Sequence, residues 1–145
     1  MHDHNGVVCM WVKILEFEEV NELKNREVED YVEVIDKLGL SSKNWERVKK
    51  ALGIKELPEP YEDTDDVNEF LLRKGLPELP DEVNFDSDCD GYDTCWINYW
   101  YVVGRLLVFE QYSDCANKVY GRYSPDANAT LKHVIKVYEC HPKEG

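Results

Sequence analysis

The sequence predicts an α+β fold: an antiparallel β-meander, made from the C-terminal half plus the N-terminal strand, packed against two or three helices. Three observations lead there. From Cys95 onward, runs of aromatic and β-branched residues alternate with turn residues. Between residues 18 and 52, apolar residues recur at helical steps. Between 54 and 83, proline-rich connectors bracket one short helical stretch. With 145 residues, the chain suits one domain, with a helical acidic part over roughly 16–93 and a β-rich part over roughly 94–141.

Residues 7–15, VVCMWVKIL, read as a buried strand. The period then changes. Val20, Leu23, Val28, Tyr31, Ile35 and Leu38 form one apolar stripe, which predicts an amphipathic helix over 18–38 stopped by Gly39. Ser41 or Ser42 is placed to cap a second helix over 43–52, with Trp45, Val48 and Leu52 inward and Gly53 as its stop. Lys43, Arg47, Lys49 and Lys50 give that helix a basic outer side. Thr64 is placed to cap a third helix over 65–74, with Asp65 and Asp66 in the first turn, where the helix dipole favours negative charge.

The strands WINYWYVV, RLLVFEQY, KVYGRY and TLKHVIKVYE complete the meander. Gly104-Arg105 suits a two-residue turn, and SDCAN and SPDANA read as further turns. A single long helix over 94–112, broken near Gly104, is the alternative for that stretch.

Charge is the most informative feature. There are 30 acids against 17 Lys and Arg, a net charge of −13. Residues 16–36 hold nine acids and two bases, and residues 56–93 hold fourteen acids and two bases. Residues 37–55 reverse the sign, with six bases and one acid. Autonomous binding to duplex nucleic acid is disfavoured, because it depends on neutralising phosphates with Lys and Arg. Acidic blocks attract cationic surfaces instead.

On a helix over 18–38, Glu22, Glu29, Glu33 and Asp36 fall at steps of seven, four and three, on the side opposite the apolar stripe. Asp63, Asp65, Asp66 and Glu69 supply a second carboxylate array. Carboxylates separated by roughly 5–10 Å along a helix axis match the scale of phosphates on a DNA strand. The expected function is therefore a small acidic non-enzymatic protein-binding module. Within that class, the array fits a nucleic-acid-mimicking inhibitor of a DNA- or RNA-binding host protein, of anti-restriction or anti-CRISPR type, encoded by a phage or mobile element.

One stretch points to a metal. Asp86, Asp88, Asp90 and Gly91 match D-x-D-x-D-G, the first half of a calcium-binding loop, with Asp93 as an extra ligand. Calcium takes six to eight oxygens, which alternate carboxylates supply. Position 12 of such a loop should be Glu and here is Ile97, so a Ca2+-binding module is the alternative reading and no cofactor is the primary one. A third reading is a small homo-oligomeric structural protein, since the aromatics of WINYWYVV would need covering if that strand lay at an edge.

No catalytic motif is present. The chain lacks Gly-x-Ser-x-Gly, a P-loop, Gly-x-Gly-x-x-Gly and His-Glu-x-x-His, so no enzyme is expected. His133 falls in an expected strand, where a structural role is the simpler assignment. The five cysteines are odd in number and irregularly spaced, and MHDHNGVVCMW has no basic region or long apolar core. Reduced thiols in a cytoplasm, the host's if the gene is viral, are the corresponding expectation. No run of ~18 apolar residues is available to span a membrane.

Overall fold

The computed structural model describes residues 9–90, 93–116, 118–119 and 122–143. Its elements in chain order are β1 (Cys9–Lys24), α1 (Tyr31–Lys37), α2 (Leu40–Leu52), α3 (Thr64–Arg73), β2 (Asp88–Asp90), β3 (Thr94–Val103), β4 (Leu106–Ala116), β5 (Lys118–Val119), β6 (Arg122–Tyr123) and β7 (Asn128–Pro142). Single 3-10 turns occupy Asn25–Glu27 and Asp81–Val83.

Five strands form one sheet in the order β1-β7-β4-β3-β2, and β5 with β6 makes a small hairpin. All the pairings are antiparallel. The α+β meander packed against helices is thus present. The N-terminal strand joins through β7, which lies between β1 and β4.

Side chains alternate between the two faces of a strand, and here both faces are covered. On one face, Trp100, Leu107, Phe109 and Tyr138 pack with Val67 and Leu71 of α3 and with Leu76, Leu79 and Val83 of the connector that follows it. On the other, Val108, Ile135 and Val137 pack with Val48 of α2, while Tyr112 and Leu131 pack with Ile35 of α1 and with Leu40. Helices α2 and α3 therefore lie on opposite faces of the sheet. The unbroken apolar run Leu106–Phe109 in β4 follows from this two-sided burial.

The largest departure from expectation is at 18–38. Residues as far as Lys24 continue β1, paired with β7 from Cys9↔Pro142 to Lys24↔Asn128 around one bulge between Lys13 and Leu15. The helix starts only at Tyr31, with Asp30 as its cap accepting from the Val32 and Glu33 amides. The apolar residues Leu15, Phe17 and Leu23 also fit a two-residue period, and β7 offers fifteen residues of ladder, which outweighs local helical spacing.

Helix α2 begins at Leu40 behind Gly39, three residues before the expected start, and Ser41 sits inside it and donates to Asp36. Gly53 ends α2 in the left-handed conformation, φ 67°. Helix α3 is capped by Asp63, not Thr64. Gly104-Arg105 forms the expected turn between β3 and β4. SDCAN is no turn through Ala116, because β4 runs on to that residue. The long-helix alternative for 94–112 is replaced by β3 and β4. Strand β3 is also no exposed aromatic edge: Trp100 is fully buried, its indole N–H donates to the Val83 carbonyl, and Tyr61 pairs with it across a backbone bridge.

The cysteines likewise differ from the reduced thiols expected. Cys9 and Cys140 are disulfide-bonded across the β1–β7 ladder, with Cα atoms 5.4 Å apart and a sequence separation of 131. Cys89 and Cys95 are bonded across the β2–β3 hairpin, Cα atoms 4.0 Å apart. Cys115 is free and exposed. The irregular spacing hid these pairs because strand register, not sequence distance, brings the thiols together.

Candidate partner-binding site

The first acidic array does not assemble as a helix face. Glu22 lies on β1 opposite Thr130, and Glu29 lies in the bend before α1. Glu33 remains on α1, paired with Lys37 at 2.9 Å. Asp36 is exposed but engaged: it accepts hydrogen bonds from the Ser41 hydroxyl and, at 3.0 Å, from the Tyr112 hydroxyl. These four residues sit on three different elements, so the phosphate-like spacing inferred from a helix over 18–38 is not formed.

The second array does assemble. Asp63 caps α3 by accepting from the Asp66 amide at 2.8 Å, and Asp65 and Asp66 fill the first turn. Glu69 follows one turn later, 4.0 Å from Arg73. All four carboxylates are exposed. The Asp66 carboxyl is pushed above its usual range, chiefly by the charge of Asp63, then by desolvation and a hydrogen bond with Asp63, with smaller contributions from Glu69 and Asp65. Like charges gathered this closely favour the protonated form.

Asp86 extends the acidic region, accepting from the Thr64 amide at 2.8 Å and from its hydroxyl at 3.2 Å. Asp88 accepts from the Cys89 amide, and Asp88 and Asp90 are exposed on β2. Asp93 follows in the turn before β3, while Gly91 and Tyr92 of the calcium-like motif lie outside the described residues. Among the described residues, no group of three or more His, Cys, Asp or Glu is gathered to hold a metal ion.

Two of the four cations of α2 are engaged elsewhere. Lys43 and Arg47 both reach Glu19 of β1, at 3.3 and 2.9 Å. Glu82 is met by Lys13 and Lys136, at 3.3 and 3.2 Å. Among the described residues, no α2 cation pairs with a carboxylate of 56–93. Helices α2 and α3 occupy opposite faces of the sheet, which keeps Lys43 and Arg47 away from the carboxylates of α3.

Beneath α2, a polar network was not foreseen. Glu110 of β4 and His133 of β7 lie in the core with side chains 3 % and 0 % exposed, and His133 Nε2 is 2.6 Å from Glu110 Oε2. Asn44 donates to His133 Nδ1 at 2.8 Å and to its carbonyl at 2.9 Å. That leaves Nε2–H to donate to Glu110. Glu110 also accepts from the Trp45 indole at 2.7 Å and the Tyr101 hydroxyl at 2.8 Å. Burial, reinforced by the Glu110 charge, pushes the Tyr101 hydroxyl far above the usual tyrosine range. With every partner supplied from within, the network ties α2 to the sheet. A Glu in the strand VFEQY, where an apolar residue would fit, was its one sequence signal.

No helix among the described residues is long and apolar enough to cross a membrane. No protein-family model, no curated protein and no solved structure matches this chain.

Proposed function

We propose that the protein is a non-enzymatic binding module that docks a cationic protein surface through its α3 face. The observation that carries this reading is the exposed group Asp63, Asp65, Asp66 and Glu69 on the first turns of α3, of which Glu69 alone among the described residues meets a cation, Arg73, while Lys43 and Arg47 of α2 are held by Glu19 on the opposite face. Such a face steers a positively charged partner and weakens as salt screens it. Nucleic-acid-binding proteins present surfaces of this sign, and mimicry now rests on the α3 face alone, since the 18–38 array is dispersed. Two disulfides favour an oxidising compartment over a reducing cytoplasm.

The test uses the full chain immobilised beside its Asp63→Asn, Asp65→Asn, Asp66→Asn, Glu69→Gln variant, in which the substituted asparagine side chain at the cap position still accepts from the α3 amides. Basic proteins retained from an extract of the source cells at about 50 mM salt, released near 0.5 M, and lost on the variant are the expected result. Displacement of those proteins by added duplex DNA identifies the nucleic-acid-binding class. Identical retention by both forms would refute the reading.

A further inference from the structure

At the far end of α3 the chemistry reverses. A cavity of about 360 Å³ lies between the C-terminus of α3 and the β3–β4 turn, lined by Phe70, Lys74, Leu76, Val102, Gly104 and Arg105. Part of its wall is apolar: Leu76 is buried, and Phe70 and Val102 are half-buried. Lys74 and Arg105 are both exposed at its rim. Lys74 Nζ stands 5.5 Å from the Phe70 ring centroid. Arg105 is anchored through its backbone, whose carbonyl accepts from the Cys140 amide at 3.0 Å, and Nη2 reaches the Cys140 carbonyl at 3.4 Å. Among the described residues, its guanidinium meets no other acceptor.

Among the described residues neither cation belongs to an ion pair. Arg73 and Lys74 at the end of α3 answer the helix dipole. That explanation does not reach Arg105, which comes from a hairpin turn distant in sequence and shares the same cavity.

We propose that this cavity binds a small amphipathic monocarboxylate, its apolar body against Phe70, Leu76 and Val102 and its carboxylate between Lys74 and Arg105. The volume falls within the range of small-ligand pockets. A planar guanidinium and an ammonium together recognise a carboxylate well. The overall negative field selects a single charge over a phosphate dianion, which is repelled about twice as strongly.

The test is an amide-resolved NMR titration of the full chain with phenylacetate, and with phenylacetamide as its uncharged counterpart. Phenylacetate is expected to move the amides of Phe70, Lys74, Leu76 and Val102 to Arg105 and to saturate. Phenylacetamide should bind at least tenfold more weakly. Lys74→Gln and Arg105→Gln should each weaken phenylacetate by tenfold or more, and Arg105→Lys by less than Arg105→Gln. Both side chains are exposed, so their spectra report on folding within the same experiment. Shifts scattered away from the cavity, equal binding of acid and amide, or unchanged affinity in both Gln variants would overturn the proposal.

Discussion

Glu19 of β1 accepts a hydrogen bond from Arg47 of α2 at 2.9 Å, on the face of the sheet opposite α3. Lys43 joins the same carboxylate, and Arg47 also stacks over the Phe17 ring, 5.8 Å from its centroid. This contact takes up two of the six cations of 37–55. It is used to clamp the edge strand to the helix, and the carboxylates around α3 are left to solvent.

The Glu19 contact gives a pH signature. Arg47's hydrogen bond, chiefly, holds the Glu19 carboxyl below its ordinary value of 4.5. The folded state thus binds that proton more weakly than the unfolded chain. The resulting stability is complete above 4.5 and is lost as pH falls through the lowered folded value. Glu19→Gln should cost about 0.5–1 kcal/mol at neutral pH. In denaturant melts at stepped pH, the gap between variant and wild type should close under acid.

Removing one partner of the buried Glu110–His133 pair leaves the other without its match. Glu110→Ala or His133→Ala should each lower stability by about 3–5 kcal/mol, since an orphaned polar group in the core is the costly case. Losing both should cost less than the sum of the two single losses. Urea denaturation of the four forms measures the coupling, and strict additivity would deny that the two side chains interact.

The Cys9–Cys140 disulfide closes a loop of 131 residues. Restricting the unfolded chain over that length is worth about 2–5 kcal/mol. Cys9→Ser with Cys140→Ser should therefore lower the melting temperature by about 10 °C or more. The short Cys89–Cys95 loop should matter less, and calorimetry of the two double variants ranks them.

Asp114 is half-buried, its Oδ1 enclosed without a hydrogen-bond partner. Desolvation raises its carboxyl above the usual 3.8. The folded state therefore holds this proton more tightly than the unfolded chain. Relative to the ionised form, that stabilisation is full below 3.8 and is lost as pH rises through the raised folded value. Asp114→Asn removes the charge and should stabilise the protein at pH 7 by about 1 kcal/mol, with the gain vanishing at low pH. A melting temperature at pH 7 equal to that of wild type would exclude a desolvated carboxylate here.

Local signals served well wherever one element decided the outcome. Gly53 and Gly104 mark real stops and turns, Val48 is inward on α2, and the acidic first turn of α3 stands where the dipole argument put it. The reading failed where a distant partner decided. Residues 18–24 have acceptable helical spacing, yet β7 captures them as strand, and Glu22 leaves the helix face with them. Cys9 meets Cys140 only because β1 and β7 are neighbours. Glu110, Asn44 and His133 converge from three elements, so no window of sequence contains their geometry.

The most direct measurement of the uncompensated α3 face is the side-chain carboxyl titration of Asp66 by carbon NMR, at about 20 mM and 500 mM salt. The account predicts a midpoint above the ordinary aspartate value of 3.8 that falls toward it in high salt or on Asp63→Asn, as like-charge repulsion is screened or removed. A midpoint at or below the ordinary value, indifferent to salt, would mean that cations already neutralise this face, and would contradict it.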